Sequence, residues 1–287
     1  MEPQTWLDGV WHAGNPPIFG PMTHAAWMAS VVFDGARAFE GVVPDLDRHA
    51  ARAIDSAHAL GLAPKIEAEE IARLAIEGVR RFPEGTELYI RPLFWADEGF
   101  VEPEAESTRF MLTLFELPLP APDDSVTAAV AEERRPRPAM APTDAKASCL
   151  YPNVQRMIRK ARQRGFSTAV VLDPDDKVAE FATANLFMVR DGKVATPADN
   201  GTFLNGITRQ RLIGLLREDG HDVAERTIDL EELLEADEVF ATGNAPKVVS
   251  ASRIEERDFQ PGPVARRARE LYWAFAHAHG KPEDFGL

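Results

Sequence analysis

The chain has 287 residues, a mass of 31.7 kDa and a formal net charge of −14 from 32 basic and 46 acidic residues. A field of that sign repels nucleic acid and anionic membrane, and no Lys/Arg cluster is dense enough to reverse it, so neither is expected as a partner. With 45% hydrophobic and 27% charged residues, the composition is that of a folded protein, and the length suits two domains of about 100–200 residues each. The first residues, Met1-Glu2-Pro3-Gln4-Thr5-Trp6, lack the basic-then-apolar order of a leader. No run reaches the roughly 18 apolar residues of a membrane span, so a cytoplasmic protein is expected. The single cysteine, Cys149, permits no internal disulfide and suggests no structural zinc site.

In chain order, the first half reads as mixed α/β. A helix is predicted over Leu46–Leu60, with Asp47 as cap, Ala50, Ala53, Ile54, Ala57 and Leu60 on one face, and Gly61 as the stop. Strands are predicted at Leu88–Phe94 and Phe110–Phe115. The proline cluster Leu117-Pro118-Leu119-Pro120-Ala121-Pro122 reads as a semi-rigid connector. It sets the expected division: an N-terminal domain over 1–116, a linker over 117–125 and a C-terminal domain over 126–287 that carries Lys146. Beyond the linker come a strand at Val126–Ala131, a helix at Tyr151–Arg164 and a strand at Thr168–Leu172. A hairpin pairs Phe187–Arg190 with Lys193–Thr196 across Asp191-Gly192. A helix after Gly206, another at Leu230–Glu235, a strand at Glu238–Thr242 and a terminal helix at Val264–Ala278 complete the reading. No repeat of 20–50 residues is visible.

Chemistry is suggested by several short segments. Only seven of the basic residues are lysines, and arginine does not serve as a Schiff-base nucleophile, so a catalytic lysine has few candidates. Lys146 lies among small residues in Asp144-Ala145-Lys146-Ala147-Ser148, just before a helix that begins near Tyr151. Glu180 sits in the apolar run Val178-Ala179-Glu180-Phe181-Ala182, where a carboxylate must find a partner or change its pKa. Leu204-Asn205-Gly206-Ile207-Thr208 precedes a helix and offers amides and a hydroxyl suited to a phosphate. Thr242-Gly243-Asn244-Ala245 is a second turn able to present amides to an anion. Each has a plainer reading: a solvated amine, a half-buried tyrosine, an edge glutamate, a helix cap and a simple turn.

Taken in order, and with Phe33-Asp34-Gly35, Phe39-Glu40-Gly41, Arg48-His49, Tyr89-Ile90-Arg91-Pro92 and Ala236-Asp237-Glu238-Val239-Phe240, these segments resemble the class IV aminotransferases that depend on pyridoxal phosphate, above all the branched-chain amino acid aminotransferases. The resemblance runs from about Trp6 to the terminal helix. It implies an α/β, two-domain fold-type IV architecture, similar to D-amino acid aminotransferase, with the active site at the domain interface and pyridoxal 5′-phosphate as cofactor. The lysine matching Lys146 forms the Schiff base and then moves a proton at the substrate carbon. The tyrosine matching Tyr151 bonds the cofactor's phenolic oxygen, and the glutamate matching Glu180 pairs with its ring nitrogen. Arg48, Ile207 and Thr208 match phosphate-binding positions, Leu204 packs on the ring, and Gly206, Gly243 and Asn244 complete the implied cofactor site. Asn244 stands where many relatives have threonine. Met28, Phe33, Tyr89, Arg91, Asn244 and Ala245 match substrate positions; Met28, Leu150 and Pro246 depart from the usual residues and bear on the substrate.

The activity so implied is transfer of an amino group from L-branched-chain amino acids to 2-oxoglutarate by a ping-pong mechanism, in a homodimer or larger assembly. The small-molecule partners are then an amino donor and a 2-oxo acid acceptor. The alternatives are an (R)-selective amine or D-amino acid transaminase, an aminodeoxychorismate lyase, and a phosphate-ligand-binding protein without catalysis. Trp95 and Phe100 flank a turn that suits an interface loop or local packing. His277, His279 and the Arg266-Arg267-Arg269 cluster read as solvated, and Cys149 as a neutral filler.

Overall fold

Two-residue alternation organises the first sheet of the computed structural model, which describes residues 1–285. Its elements in chain order are β1 (Gln4–Leu7), β2 (Val10–Ala13), α1 (His24–Met28), β3 (Val31–Phe33), β4 (Ala36–Ala38), α2 (Leu46–Ala59), α3 (Ala68–Val79), β5 (Leu88–Ala96) and β6 (Thr108–Glu116). The strands pair antiparallel in the order β2-β1-β6-β5-β3, with β4 also on β5. Leu88 and Ile90 of β5, with Ala36, Ala38, Leu112 and Leu114, face a core that takes Leu74, Ala75 and Ile76 of α3. Phe94 and Val32 meet Ala50, Ala53 and Ala57 of α2, which is the helix face read from the sequence. Truncating a large side chain of such a core to alanine typically costs about 2–5 kcal/mol.

The opposite face of this sheet carries its charged and aromatic side chains. The register sets Phe33 opposite Leu93, Arg37 opposite Tyr89, Tyr89 opposite Phe115 and Arg91 opposite Thr113. Directly paired residues project to the same side, so Phe33, Arg37, Tyr89 and Arg91 share one face. Val31, Trp95 and Met111 fill one end of it as a small apolar cluster.

The second unit is built from β7 (Ser125–Arg134), α4 (Tyr151–Gln163), β8 (Thr168–Leu172), β9 (Val178–Phe181), β10 (Asn185–Arg190), β11 (Lys193–Pro197), α5 (Ile207–Glu218), β12 (Val223–Arg226), α6 (Leu230–Leu234), β13 (Glu238–Gly243), β14 (Lys247–Ile254), β15 (Arg257–Asp258) and α7 (Pro263–His279). Its sheet runs β12-β11-β10-β13-β14-β7-β8-β9, with β15 on β14. The pairs β11/β12, β14/β7 and β7/β8 are parallel. Ala128 of β7 enters a core with Val170, Leu186, Val239 and Leu233, while Ala129 and Ala131 face Val154, Met157 and Ala161 of α4. The hairpin of β10 and β11 turns through Asp191 at φ +50° and Gly192 at φ +73°, the primed geometry that Asp-Gly favours.

The division of the chain differs from a single cut. Contacts group Met1–Leu119 with Asp144–Cys149 and with residues 275–285, and group Pro120–Thr143 with Leu150–Ala274. The lysine segment thus belongs to the first unit, not to the C-terminal domain. Ala147 bridges Val32, and the Phe33 N–H donates to the Lys146 carbonyl at 3.1 Å. Capping of α2 also differs: Asp45, at φ +56°, is the N-cap and Asp47 lies inside the first turn. Among the described residues, no helix is long and apolar enough to cross a membrane.

Candidate active site

Lys146 is held by its backbone. Its N–H donates to Ser56 Oγ of α2 at 3.1 Å, and its flanking residues Ala145 and Ala147 are buried. The amine lies 4.8 Å from the Phe33 ring centroid, which places it beside the sheet face of Phe33, Arg37, Tyr89 and Arg91. Tyr89 stacks on Phe115 at 5.4 Å, and the Arg91 guanidinium lies 5.5 Å from the same ring. Arg37 is fully buried and donates from Nη2 to the Leu117 carbonyl at 2.5 Å. Its Nε and Nη1, and Arg91 Nε, have no hydrogen-bond partner among the described residues. Burial pushes the Arg37 guanidinium down to about 10, against the raising pull of Glu87 and Tyr89, so it is charged at neutral pH. Buried unspent donors on two cations suit an anionic ligand.

Beneath this face Asp34 is completely buried. It accepts from the Gly35 N–H at 2.7 Å, from Arg52 Nε and Nη2 at 2.6 and 2.9 Å, and lies 2.7 Å from His49 Nδ1. Burial alone would raise its carboxyl, but the Arg52 charge and the His49 bond outweigh it and hold the group well below the usual carboxylate range.

In the second unit, Asn185 at the start of β10 ties three segments together. Its Nδ2 donates to Glu180 at 3.2 Å and to the Leu204 carbonyl at 3.0 Å, and its Oδ1 accepts from the Gly206 N–H at 3.1 Å. Gly206 is the N-cap of α5, and a Cβ there would stand 2.2 Å from Asn185 Oδ1, so any larger residue must displace the Asn185 amide. Glu180 is 5% exposed and pairs with Arg135 at 2.6 Å, the partner its apolar surroundings require. Thr242 sits opposite Asn185 in the sheet, and α5 packs on β13. The hydroxyls of Thr208 and Thr242 and the Nδ2 of Asn244 are buried without a partner among the described residues. The first amides of α5 have no intrahelical acceptor. Three orphaned side-chain donors beside a helix N-terminus suit a phosphate.

Residues 31–254 match the family described as amino-transferase class IV. The chain belongs to the class IV aminotransferases. A probable branched-chain-amino-acid aminotransferase of Rickettsia conorii is 32% identical over 88% of each chain. A solved aminotransferase from Brucella abortus, bound to the co-factor PLP, is 51% identical with TM-score 0.95 over 96% of this chain and 100% of its own. The branched-chain aminotransferase of the thermophilic archaeon Thermoproteus uzoniensis, solved with norvaline, is 29% identical with TM-score 0.88 over 96% of this chain and 95% of its own. The enzyme is therefore a transaminase of branched-chain type with pyridoxal 5′-phosphate as cofactor, and the orphaned donors of Thr208, Thr242 and Asn244 fit the phosphate of that group.

The other expected positions of this aminotransferase are spread over several elements. Arg48 is one-third exposed with Asp45 at 3.8 Å, whereas Arg52, one turn along α2, is gripped by Asp34. Gly206 spends its N–H on Asn185. Met28 ends α1 at 40% exposure, and Ala245 is exposed. Tyr151 opens α4, and Leu204 and Ile207 flank the α5 N-cap. Trp95 is fully buried, so the aromatic exposed on its loop is Phe100, at 76%. His277 pairs with Glu40 at 2.8 Å instead of being simply solvated, and Arg269 stacks 3.9 Å over Trp273 while donating to the Pro120 carbonyl. Cys149 is exposed rather than a filler. Sequence reasoning misses Arg37, Arg52, Arg135 and Asn185, and names Thr242 only as part of a turn presenting amides. The signal for Arg37 lies two residues beyond Gly35, but only strand pairing sets it beside Tyr89.

Proposed function

We propose that the enzyme transfers the amino group of L-branched-chain amino acids to 2-oxoglutarate, both substrates using one site in turn. The observation that carries this reading is the sheet face on which Phe33, Tyr89, Arg37 and Arg91 stand together beside the Lys146 amine. Two cations with unspent donors suit carboxylate substrates rather than simple amines, and Phe33 with Tyr89 supplies an apolar wall. Bound pyridoxal phosphate supplies the covalent link to the amino group and the electron sink. Lys146 holds and returns the proton at the substrate α-carbon, a task suited to an amine whose own backbone is fixed on both sides. Glu180, steadied by Arg135 and Asn185, would pair with the ring nitrogen, Tyr151 would bond the phenolic oxygen and Leu204 would pack on the ring. Ile207, Thr208, Gly243 and Asn244 would hold the phosphate, joined by Thr242. Of the two α2 arginines, Arg52 has the fixed guanidinium and takes the phosphate contact expected of Arg48. The enzyme works as a homodimer or larger assembly, which is supported by the exposed apolar residues Met22, Trp27, Phe100 and Val101.

A half-reaction panel tests the substrate. L-Leucine, L-valine and L-isoleucine are expected to discharge the visible absorbance of the lysine-bound cofactor, and 2-oxoglutarate to restore it. Discharge by (R)-1-phenylethylamine or D-amino acids but not by L-leucine would overturn the reading. Lys146→Ala is expected to abolish borohydride trapping of the cofactor on the protein.

A further inference from the structure

Lys247 is the one lysine that is fully buried among the described residues. It closes the three-residue connection Asn244-Ala245-Pro246 between β13 and β14 and lies opposite Gly243 in the ladder. Its φ is +58°, in the left-handed region where glycine is favoured, so the position carries this side chain at a conformational cost. The amine lies 5.3 Å from the Tyr272 ring centroid, and Nζ donates to Asn244 Oδ1 at 2.9 Å. An ammonium has donors only, so Asn244 must turn its oxygen toward Lys247. Its Nδ2 is then directed elsewhere, and this is one of the buried donors without a partner, alongside the hydroxyls of Thr208 and Thr242.

We propose that Lys247 is a positioning residue for the phosphate end of the cofactor: it locks the amide of Asn244 in the orientation that offers N–H, and not C=O, to the phosphate oxygens. The inference rests on the reading above that the α5 start and the β13 end hold the phosphate. An amide free to flip would spend part of its time aiming an acceptor at an anion. A threonine at this position would need no lock, because its hydroxyl rotates to donate by itself. Lysine at 247 is therefore the counterpart of asparagine at 244.

The test titrates the apoenzyme with pyridoxal 5′-phosphate, and separately with inorganic phosphate as a competitor. Lys247→Met is expected to raise the Kd for both by about tenfold, the loss of one hydrogen bond to a charged group. In an Asn244→Thr background the same substitution is expected to change either Kd by less than about twofold. Lys247→Gly, which suits the backbone, is expected to repeat both results and serves if the methionine variant does not fold. Equal losses in the two backgrounds would mean that the lysine acts by charge or packing alone and would overturn the proposal, as would no loss with Asn244 in place. Thr208→Val with Thr242→Val separates the two readings: if it leaves the Kd unchanged, the phosphate cradle itself is misplaced, whereas weakened binding there with a silent Lys247 removes only the lock.

Discussion

Asp34 is the residue on which the first unit's polar interior turns. It is completely buried and balanced by Arg52 and His49, so replacing it by an amide removes the charge and one of the two acceptor oxygens that the partly buried Arg52 and the buried His49 share. Asp34→Asn is expected to lower unfolding stability at pH 7 by about 3 kcal/mol, the range for breaking one side of a buried pair. Its folded-state carboxyl lies below the unfolded value, so its contribution is present above that value and is lost as pH falls. The gap between variant and wild type should therefore narrow from about pH 5 downward in urea titrations; a gap constant with pH would contradict the assignment. Arg37 works at the same scale. Arg37→Gln is expected to raise the KM for L-leucine and 2-oxoglutarate about tenfold or more while leaving the Kd for pyridoxal 5′-phosphate within about twofold, since its unspent donors are assigned to substrate and not cofactor. For the α2 arginines, Arg52→Lys should weaken cofactor binding more than Arg48→Lys, read by the same titration.

Among the elements, the N-cap of α5 depends on one strand residue. Asn185 joins Glu180, Leu204 and Gly206, so the residues assigned to the cofactor's ring end and phosphate end share a support. Gly206→Ala places a methyl against Asn185 Oδ1 and is expected to lower cofactor affinity about tenfold with little change in helix content by circular dichroism; unchanged affinity would show that α5 is positioned otherwise. Helices α2, α4, α5 and α7 and the Asp191-Gly192 hairpin are legible in the sequence because local rules govern them: apolar spacing, a glycine or proline at an end, a turn dipeptide. Arg269 and His277 are not, because their partners, Trp273 and the Pro120 carbonyl for one and Glu40 for the other, include groups far away in sequence. The Asp47 cap is displaced by two residues for a local reason, since Asp45 enters the helix from the left-handed region.

For the whole molecule, the charge of −14 gives no general attraction for a phosphorylated cofactor or a dicarboxylate, so recognition falls to local donors. Binding to the folded state alone should then couple cofactor to stability: at a thousandfold excess over Kd, pyridoxal 5′-phosphate is expected to add about 4 kcal/mol, read as a raised unfolding midpoint. An unfolding midpoint indifferent to the cofactor would contradict that coupling. By itself the sequence determined the family, several of the helices and strands and the candidate lysine, because ordered short motifs and periodic patterns are written in consecutive residues; the four short strands and the helix before Leu46 lay outside that reading. Only the tertiary structure decided that the lysine segment belongs to the first unit, that Arg37 joins Tyr89 and Arg91, that Asn185 and Arg135 steady Glu180, and that Lys247 faces Asn244. Most of those relations arise from strand register and buried hydrogen bonding between residues distant in the chain, and the last from a turn whose backbone carries its lysine inward; no local pattern records them.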